Sequence, residues 1–188
     1  MILEAVILTG GESRRMGRDK ATLEIDGVPQ AKRLVNAILT KVEKVTVLGR
    51  HPIEGASFLP DAEEFAGPAA ALARFEPTAD RVFVASCDLP LFDPRLIDFL
   101  QNEIGDRRAA APLVEDWRQP LCALYQAETF AVLREVAAEG IRCPMKWLAR
   151  LDPKLLDEQA LEAAGIDPRS TLGANTPEEL ADALRHRR

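Results

Sequence analysis

A loop rich in glycine and cationic side chains follows the first apolar segment of the chain. Residues 8–20 read Leu-Thr-Gly-Gly-Glu-Ser-Arg-Arg-Met-Gly-Arg-Asp-Lys, and the apolar run Ile2–Leu8 leads straight into them. Glycines let the backbone N–H groups approach a phosphate, and arginine and lysine neutralise its charge. The composition therefore predicts a loop that holds a nucleoside triphosphate and the departing pyrophosphate. Its cationic members are Arg14, Arg15, Arg18 and Lys20.

Two common phosphate-binding patterns do not fit this loop. A Walker A loop ends in Gly-Lys followed by Ser or Thr, whereas Gly17 is followed by Arg18, and the dinucleotide pattern G-x-G-x-x-G is missing. A solvated cationic loop without a ligand is the alternative interpretation. The position directly after an apolar strand favours the ligand, because open α/β sheets bind ligands beyond the carboxyl ends of their strands.

A carboxylate comes just after another apolar segment. Arg81–Ser86 predicts a buried strand, and Asp88 follows it in the sequence Ser-Cys-Asp-Leu-Pro. Asp88 is therefore a candidate ligand for Mg²⁺, which prefers few carboxylates together with waters and phosphate oxygens. The alternative is an aspartate that only shapes a turn before a proline. The loop at residues 8–20 favours the metal.

Weaker candidates lie elsewhere in the chain. Asn175 offers an amide oxygen as a second ligand for metal or water. The alternative is that Asn175 only shapes the start of the helix, or that Thr176 caps the helix and Asn175 has no role. Asp61 could accept a hydrogen bond from a ribose hydroxyl or a base N–H, or be an ordinary loop aspartate. At Gly67-Pro68 the N–H groups at the start of a helix could face a ligand.

Strand-like and helix-like segments alternate along the chain. This alternation predicts an α/β fold with three α/β/α layers and a Rossmann-like, mostly parallel sheet, formed by one domain over residues 1–188. Residues 152–170 carry no clear pattern. The predicted strands are Ile2–Leu8, Lys44–Leu48, Arg81–Ser86, Ala109–Leu113 and Leu121–Tyr125. The predicted helices are Pro29–Lys41, Gly67–Phe75, Pro94–Gln101 with Asp93 as its cap, Glu128–Ala138, Pro144–Arg150 and Pro177–His186.

The composition argues against several classes of protein. A net charge of −6 disfavours nucleic-acid binding, and no apolar run approaches the roughly 20 residues that span a bilayer. The first residues lack the pattern of a signal peptide, so we expect a cytoplasmic protein. Cys87, Cys122 and Cys143 form no C-x-x-C pair and are expected to be reduced, buried thiols.

The loop pattern Gly-Gly-x-Ser-x-Arg-Met-Gly-x-Asp-Lys over residues 10–20 resembles the signature of the molybdenum cofactor guanylyltransferase (MobA) family, which belongs to the GT-A-like nucleotidyltransferases. The resemblance continues in order along nearly the whole chain. It runs through Asp61, Gly67-Pro68, Cys87-Asp88-x-Pro90, residues 119–124 and residues 175–180.

The resemblance implies that GMP is transferred from GTP to the terminal phosphate of molybdopterin, that pyrophosphate is released, and that Mg²⁺ is the cofactor. It also implies contacts with other proteins of molybdenum cofactor biosynthesis. Asp88 would bind the metal close to the GTP phosphates, with Asn175 at a polar position near it. Lys20 and Arg15 would supply phosphate charge for catalysis. Nucleotide contacts are implied for Leu8, Thr9, Gly10, Gly11, Ser13, Lys20, Asp61 and Asp88.

Some positions depart from the family pattern. Ala69 and Ala71 stand in a segment that usually reads Gly-Pro-Leu-x-Gly, and Gly173 replaces an asparagine. A related enzyme that uses CTP or another phosphate acceptor, and a non-catalytic paralogue, remain alternatives. For the acceptor, the cationic candidates are Arg118, Arg142 and Lys146, and the candidates for contact with a flat ring are Met145 and Trp147, with solvated surface positions or core packing as alternatives.

Overall fold

The computed structural model describes residues 2–10, 23–62 and 67–185, and its centre is an eight-stranded sheet. The strands are β1 Leu3–Leu8, β2 Glu24–Ile25, β3 Val28–Pro29, β4 Lys44–Gly49, β5 Ser57–Pro60, β6 Arg81–Ser86, β7 Ala109–Val114, β8 Trp117–Arg118, β9 Cys122–Gln126 and β10 Lys154–Leu156. The order in the sheet is β10-β7-β9-β6-β1-β4-β5, with β8 paired to β7, while β2 and β3 form a separate hairpin.

The sheet is mainly parallel, as predicted. β1 pairs in parallel with β4 and β6, β4 with β5, and β7 with β10, whereas β9 runs against both of its neighbours. The strands β1, β4, β5, β6 and β7 therefore all end at the same side of the sheet. We call that side the carboxyl edge and the opposite side the amino edge.

Helices cover both faces of the sheet, which confirms the three-layer α/β fold. Their bounds are α1 Gln30–Leu39, α2 Pro68–Ala73, α3 Arg95–Glu103, α4 Thr129–Ala138, α5 Pro144–Ala149, α6 Glu158–Ala163 and α7 Pro177–Arg185. One apolar cluster packs α1, α3 and α6 on the sheet, and a second packs α2, α4 and α5 on its other face. The helical spacing of the apolar residues produces these buried stripes.

The structure adds elements that the sequence pattern did not predict. β5, the three-residue β10, α6 and a short 3₁₀ helix at Pro168–Thr171 are too short to show a clear period. Helix α3 begins at Arg95, one residue later than predicted, although Asp93 still accepts a hydrogen bond from the Arg95 N–H at 2.9 Å. None of the helices described in the three ranges is long and apolar enough to cross a bilayer.

Candidate functional site

The chain leaving β1 is held directly against the end of β4. The Thr9 N–H donates to the Leu48 carbonyl at 2.8 Å, and the Thr9 hydroxyl donates to the same oxygen at 3.1 Å. A Cβ added to Gly49 would lie 2.1 Å from Thr9 Oγ1. Since such a distance is impossible, only glycine at this position permits the close approach of the two strand ends.

The carboxylate of Asp61 lies against the backbone where the predicted phosphate loop begins. Asp61 follows β5, and its N–H donates to the Gly49 carbonyl at 3.0 Å. A Cβ added to Gly10 would lie 2.5 Å from Asp61 Oδ2, so the carboxylate occupies the space that a side chain at this position would need. Among the described residues, the Asp61 carboxylate accepts no hydrogen bond. The structure thus brings Thr9, Gly10 and Asp61 together at the carboxyl edge.

Asp88 lies at the same edge, beyond the end of β6. The Cys87 N–H donates to the Leu8 carbonyl at 2.9 Å, which ties the turn that carries Asp88 to the end of β1. The Ser86 hydroxyl donates a short hydrogen bond to Asp88 Oδ1. Asp88 is half-buried, as expected for a carboxylate in a crevice. Both candidate aspartates therefore flank the end of β1.

The segment before α7 passes directly over Asp88. The Ala174 N–H donates to the Asp88 carbonyl at 2.8 Å. A Cβ added to Gly173 would lie 3.1 Å from the carboxylate carbon and from both of its oxygens. The glycine that departs from the family pattern therefore lets the backbone cross close to the carboxylate, a contact that the sequence did not reveal.

Asn175 follows this crossing and begins the turn into α7. Its N–H donates to the Glu179 carboxylate, and the Glu179 N–H donates to the Thr176 hydroxyl at 3.1 Å. These reciprocal bonds resemble a capping box, which fixes the start of the helix. Thr176 is thus the capping residue, and Asn175 is held two residues from the glycine that touches Asp88.

The donors near Asp88 fit a magnesium ion better than a metal that needs many protein ligands. Within the described ranges, no group of three or more His, Cys, Asp or Glu side chains could hold a metal ion. Mg²⁺ keeps several waters and is bound in proteins through one or two carboxylates together with substrate phosphates. A carboxylate at Asp88 and an amide oxygen at Asn175 match that preference.

The central part of the predicted phosphate loop lies outside the described residues. This applies to Gly11, Ser13, Arg15 and Lys20, whose predicted roles therefore stay predictions. Leu8 is among the described residues and is buried at the end of β1. Its carbonyl accepts the hydrogen bond from the Cys87 N–H. The structure thus describes where this loop leaves the sheet.

Among the N–H groups at the start of α2, that of Ala69 is engaged by protein and is not open to a ligand. The Ala69 N–H donates to the Arg142 carbonyl at 3.1 Å, and the Ala71 N–H donates to the Gly67 carbonyl at 3.1 Å. Gly67 has φ +91°, and a Cβ on it would lie 2.9 Å from Arg142 Cβ. Ala69 is fully buried and Ala71 packs on the same apolar cluster, so both alanines serve the core.

Trp147 is a core residue, as the alternative interpretation held. Its indole stacks on Tyr125 with the ring centroids 3.9 Å apart, and its Nε1 donates to the Thr129 carbonyl at 3.0 Å. Burial raises the pKa of the Tyr125 hydroxyl, which donates to the Pro120 carbonyl at 2.8 Å. Trp147 is therefore not available to a flat ligand.

The cysteines differ in their exposure. Cys87 and Cys122 are buried as expected, but the expectation was wrong for Cys143, which is exposed just before α5. Burial, with a smaller contribution from the charge of Asp88, raises the pKa of the Cys122 thiol. This thiol therefore stays protonated beside the carboxyl edge and offers no nucleophile.

Residues 5–155 match the MobA-like NTP transferase domain. The chain belongs to this family. The probable molybdenum cofactor guanylyltransferase of Natronomonas pharaonis is 31% identical to this chain, and the match covers 95% of each chain. The molybdenum cofactor guanylyltransferase of Ectopseudomonas mendocina is also 31% identical, over 95% of this chain and 90% of its own. The predicted family and the prediction of a nucleotidyltransferase enzyme are thereby confirmed.

Solved structures of other proteins share the fold. The molybdopterin-guanine dinucleotide biosynthesis protein A from Archaeoglobus fulgidus has a TM-score of 0.80 at 21% identity, covering 97% of both chains. A structure of Rv0371c from Mycobacterium tuberculosis, in complex with manganese, has a TM-score of 0.61 at 15% identity and covers 99% of this chain and 100% of its own. A divalent metal thus occurs on this fold.

Proposed function

We propose that this MobA-like chain transfers GMP from GTP to the terminal phosphate of molybdopterin, forming molybdopterin guanine dinucleotide and pyrophosphate. We further propose that residues 1–188 act as one domain in the cytoplasm, where the three free cysteines would stay reduced. The names of relatives that match along 95% of the chain support this function. The observation that carries it is the Asp61 carboxylate seated on the backbone of Gly10.

This carboxylate suits a guanine base. Guanine carries an N1–H and an exocyclic amino group side by side, and an ionised carboxylate offers two acceptor oxygens. A cytosine presents only one amino donor on the corresponding edge, next to an acceptor. A site built to accept two hydrogen bonds discriminates strongly against a base that cannot donate both, because a buried acceptor is left unpaired.

The reaction needs charge stabilisation more than proton transfer. A phosphate oxygen of the acceptor attacks the α-phosphorus of GTP, a new P–O bond forms, and the bond from the α-phosphorus to the bridging oxygen breaks to release pyrophosphate. The attacking phosphate monoester is already largely ionised near neutral pH, because its second pKa is about 6. No general base is therefore required, and positioning with charge neutralisation carries the catalysis.

We assign the binding of phosphate and of metal to four residues. Lys20 and Arg15 would neutralise the triphosphate and the leaving pyrophosphate, as their place in the loop suggests. Asp88 and Asn175 would hold Mg²⁺, which when bound withdraws charge from the phosphate oxygens. The contact of Gly173 with the Asp88 carboxylate would keep that carboxylate in one orientation.

Calorimetric titration of the purified chain with GTP, CTP and ATP, each with Mg²⁺, tests this proposal. We expect a clear preference for GTP, followed by GMP transfer when molybdopterin is added. The control is Asp61→Asn, which keeps the shape of the side chain and replaces one acceptor oxygen with a donor. A preference for CTP would instead indicate a cytidylyltransferase, and binding of none of the three would indicate a non-catalytic paralogue.

A further inference from the structure

A short hairpin extends the sheet at its carboxyl edge and carries an exposed tryptophan. β7 and β8 are joined by Glu115 and Asp116, whose φ angles of +53° and +61° form a tight turn. The Glu115 N–H donates to the Glu158 carboxylate at 2.9 Å, so the tip is fixed to α6. Trp117, which begins β8, is 69% exposed.

The hairpin lies on the side of β7 that faces Asp88. β10 pairs with the other side of β7. On the side toward β6, β9 pairs with the first part of β7 and β8 with its last part, and the antiparallel register differs by three residues between these two pairings. The Gln119 N–H donates to the Pro112 carbonyl at 3.0 Å, and the Leu121 carbonyl accepts from the Ser86 N–H at 3.0 Å. The return limb of the hairpin is therefore bonded to both β7 and the end of β6.

The hairpin and Asp88 therefore lie at the same edge of the sheet, with one strand between the two strands that lead to them. β7 and β6 are separated by one intervening strand, so their axes lie roughly 10 Å apart. β8 stands within that interval at the edge where β6 delivers Asp88. A flat ring that carries a phosphate side chain is long enough to cover this lateral separation, with the ring at the hairpin and the phosphate toward Asp88.

An indole is a strong platform for a flat heterocycle. The apolar face of the Trp117 indole is in contact with water. When a ring stacks on it, the contacting face of the indole and the contacting face of the ring are both removed from water. The other tryptophan of the chain, Trp147, is buried and already stacked on Tyr125. Of the two tryptophans, only Trp117 is exposed and placed at the edge that carries the catalytic carboxylate.

We propose that Trp117 stacks on the flat pterin ring of the phosphate acceptor and determines acceptor specificity. This inference rests on the proposed function, since the acceptor must reach the α-phosphate of a nucleotide bound beside Asp61 and Asp88. Trp117 acts on acceptor binding and leaves nucleotide binding and the chemical step to the residues around β1.

Steady-state kinetics of GMP transfer to molybdopterin tests the proposal. Replacement of a stacked aromatic residue by alanine costs affinity roughly 5- to 150-fold, so Trp117→Ala should raise the KM for molybdopterin by that factor. The KM for GTP and the melting temperature should not change. Trp117→Phe keeps a stacking face and should restore most of the affinity. The matched control is Ile2→Ala, which removes another exposed apolar side chain, 64% exposed at the amino edge.

A fluorescence titration separates this inference from the proposed function. A pterin that carries a phosphate monoester should quench the emission of wild-type chain, and the quenching should be lost in Trp117→Phe, where only buried Trp147 emits. If wild-type chain transfers no GMP yet shows this quenching, the proposed function fails and the stacking stands. Unchanged acceptor KM and unchanged quenching in the Trp117 variants would overturn the stacking, and would point to a protein-docking role for this tip.

Discussion

The two edges of the sheet treat their carboxylates in opposite ways. At the amino edge, Glu4 is 1% exposed and accepts hydrogen bonds from the N–H and hydroxyl of Thr78 and from the Ala79 N–H at 3.0 Å. The ammonium group of Lys44 lies 3.4 Å from its second oxygen. This carboxylate is fully used by the fold, since both of its oxygens accept hydrogen bonds and one of them also lies beside an ammonium group.

At the carboxyl edge, backbone segments pass close to the carboxylates and limit their positions. Asp61 lies over Gly10, and Asp88 lies under Gly173, in each case at a distance that excludes a Cβ or leaves little room for one. Both aspartates are half-buried rather than enclosed. The Glu4 carboxylate is thus surrounded by donors of the fold, whereas the Asp61 and Asp88 carboxylates, for which we propose ligand contacts, stay partly exposed.

The largest effect should come from Asp88→Ala, which removes the proposed metal-binding carboxylate. We expect kcat to fall roughly 10²- to 10³-fold, because a charge that stabilises the transition state is lost. The melting temperature should change little, since the bond from Ala174 goes to the Asp88 carbonyl and remains. Asp88→Asn is the control for shape. Turnover within twofold of wild type in either variant would remove Asp88 from the reaction.

Glu4→Ala should have the converse effect, on stability and not on activity. It leaves the Thr78 and Ala79 N–H groups and the Lys44 ammonium without their buried partner, which costs about 3 kcal/mol. Urea denaturation should show a lower midpoint with an unchanged slope. Folded Glu4→Ala should bind GTP normally, and the exposed neighbour Glu43→Ala should match wild type in both assays. A selective loss of GTP binding would contradict the division between the two edges.

A smaller effect is expected for Gly10→Ala, which forces Asp61 to turn away from its place. The added methyl group would lie 2.5 Å from Asp61 Oδ2, so we expect kcat/KM for GTP to fall about tenfold, or roughly 1.4 kcal/mol. The double variant Gly10→Ala/Asp61→Ala measures the coupling, because both changes act through one carboxylate. Effects that add fully would show that Gly10 acts on something other than Asp61.

The periodic part of the fold was predictable from the chain alone. The segments that form β1, β4 and β6 are mostly apolar, and α1 shows its buried stripe at helical spacing, so these elements were found within one or two residues. β10 and α6 were missed because each spans six residues or fewer and its burial depends on β7.

The candidate site was predictable in part. The position of Asp88 just after the predicted strand Arg81–Ser86 indicated the carboxyl edge, since the ends of parallel strands meet there. Asp61 remained a weak loop candidate, because β5 before it was not predicted. The contacts of Gly10, Gly49 and Gly173 were not predictable, because each depends on a residue at least 39 positions away in the chain. Hydrophobicity likewise could not separate the two tryptophans, of which one is buried and the other exposed.

The order of residues thus determined the longer strands and helices, the family signature, and which side chains carry charge, because local periodicity and composition depend on neighbouring positions. Tertiary packing alone decided which groups meet. It placed Asp61 on Gly10 and Gly173 on Asp88, engaged the N–H of Ala69 with Arg142, and left Trp117 exposed while burying Trp147. Such contacts arise between distant segments that are brought together only when the sheet forms, and no local pattern encodes them.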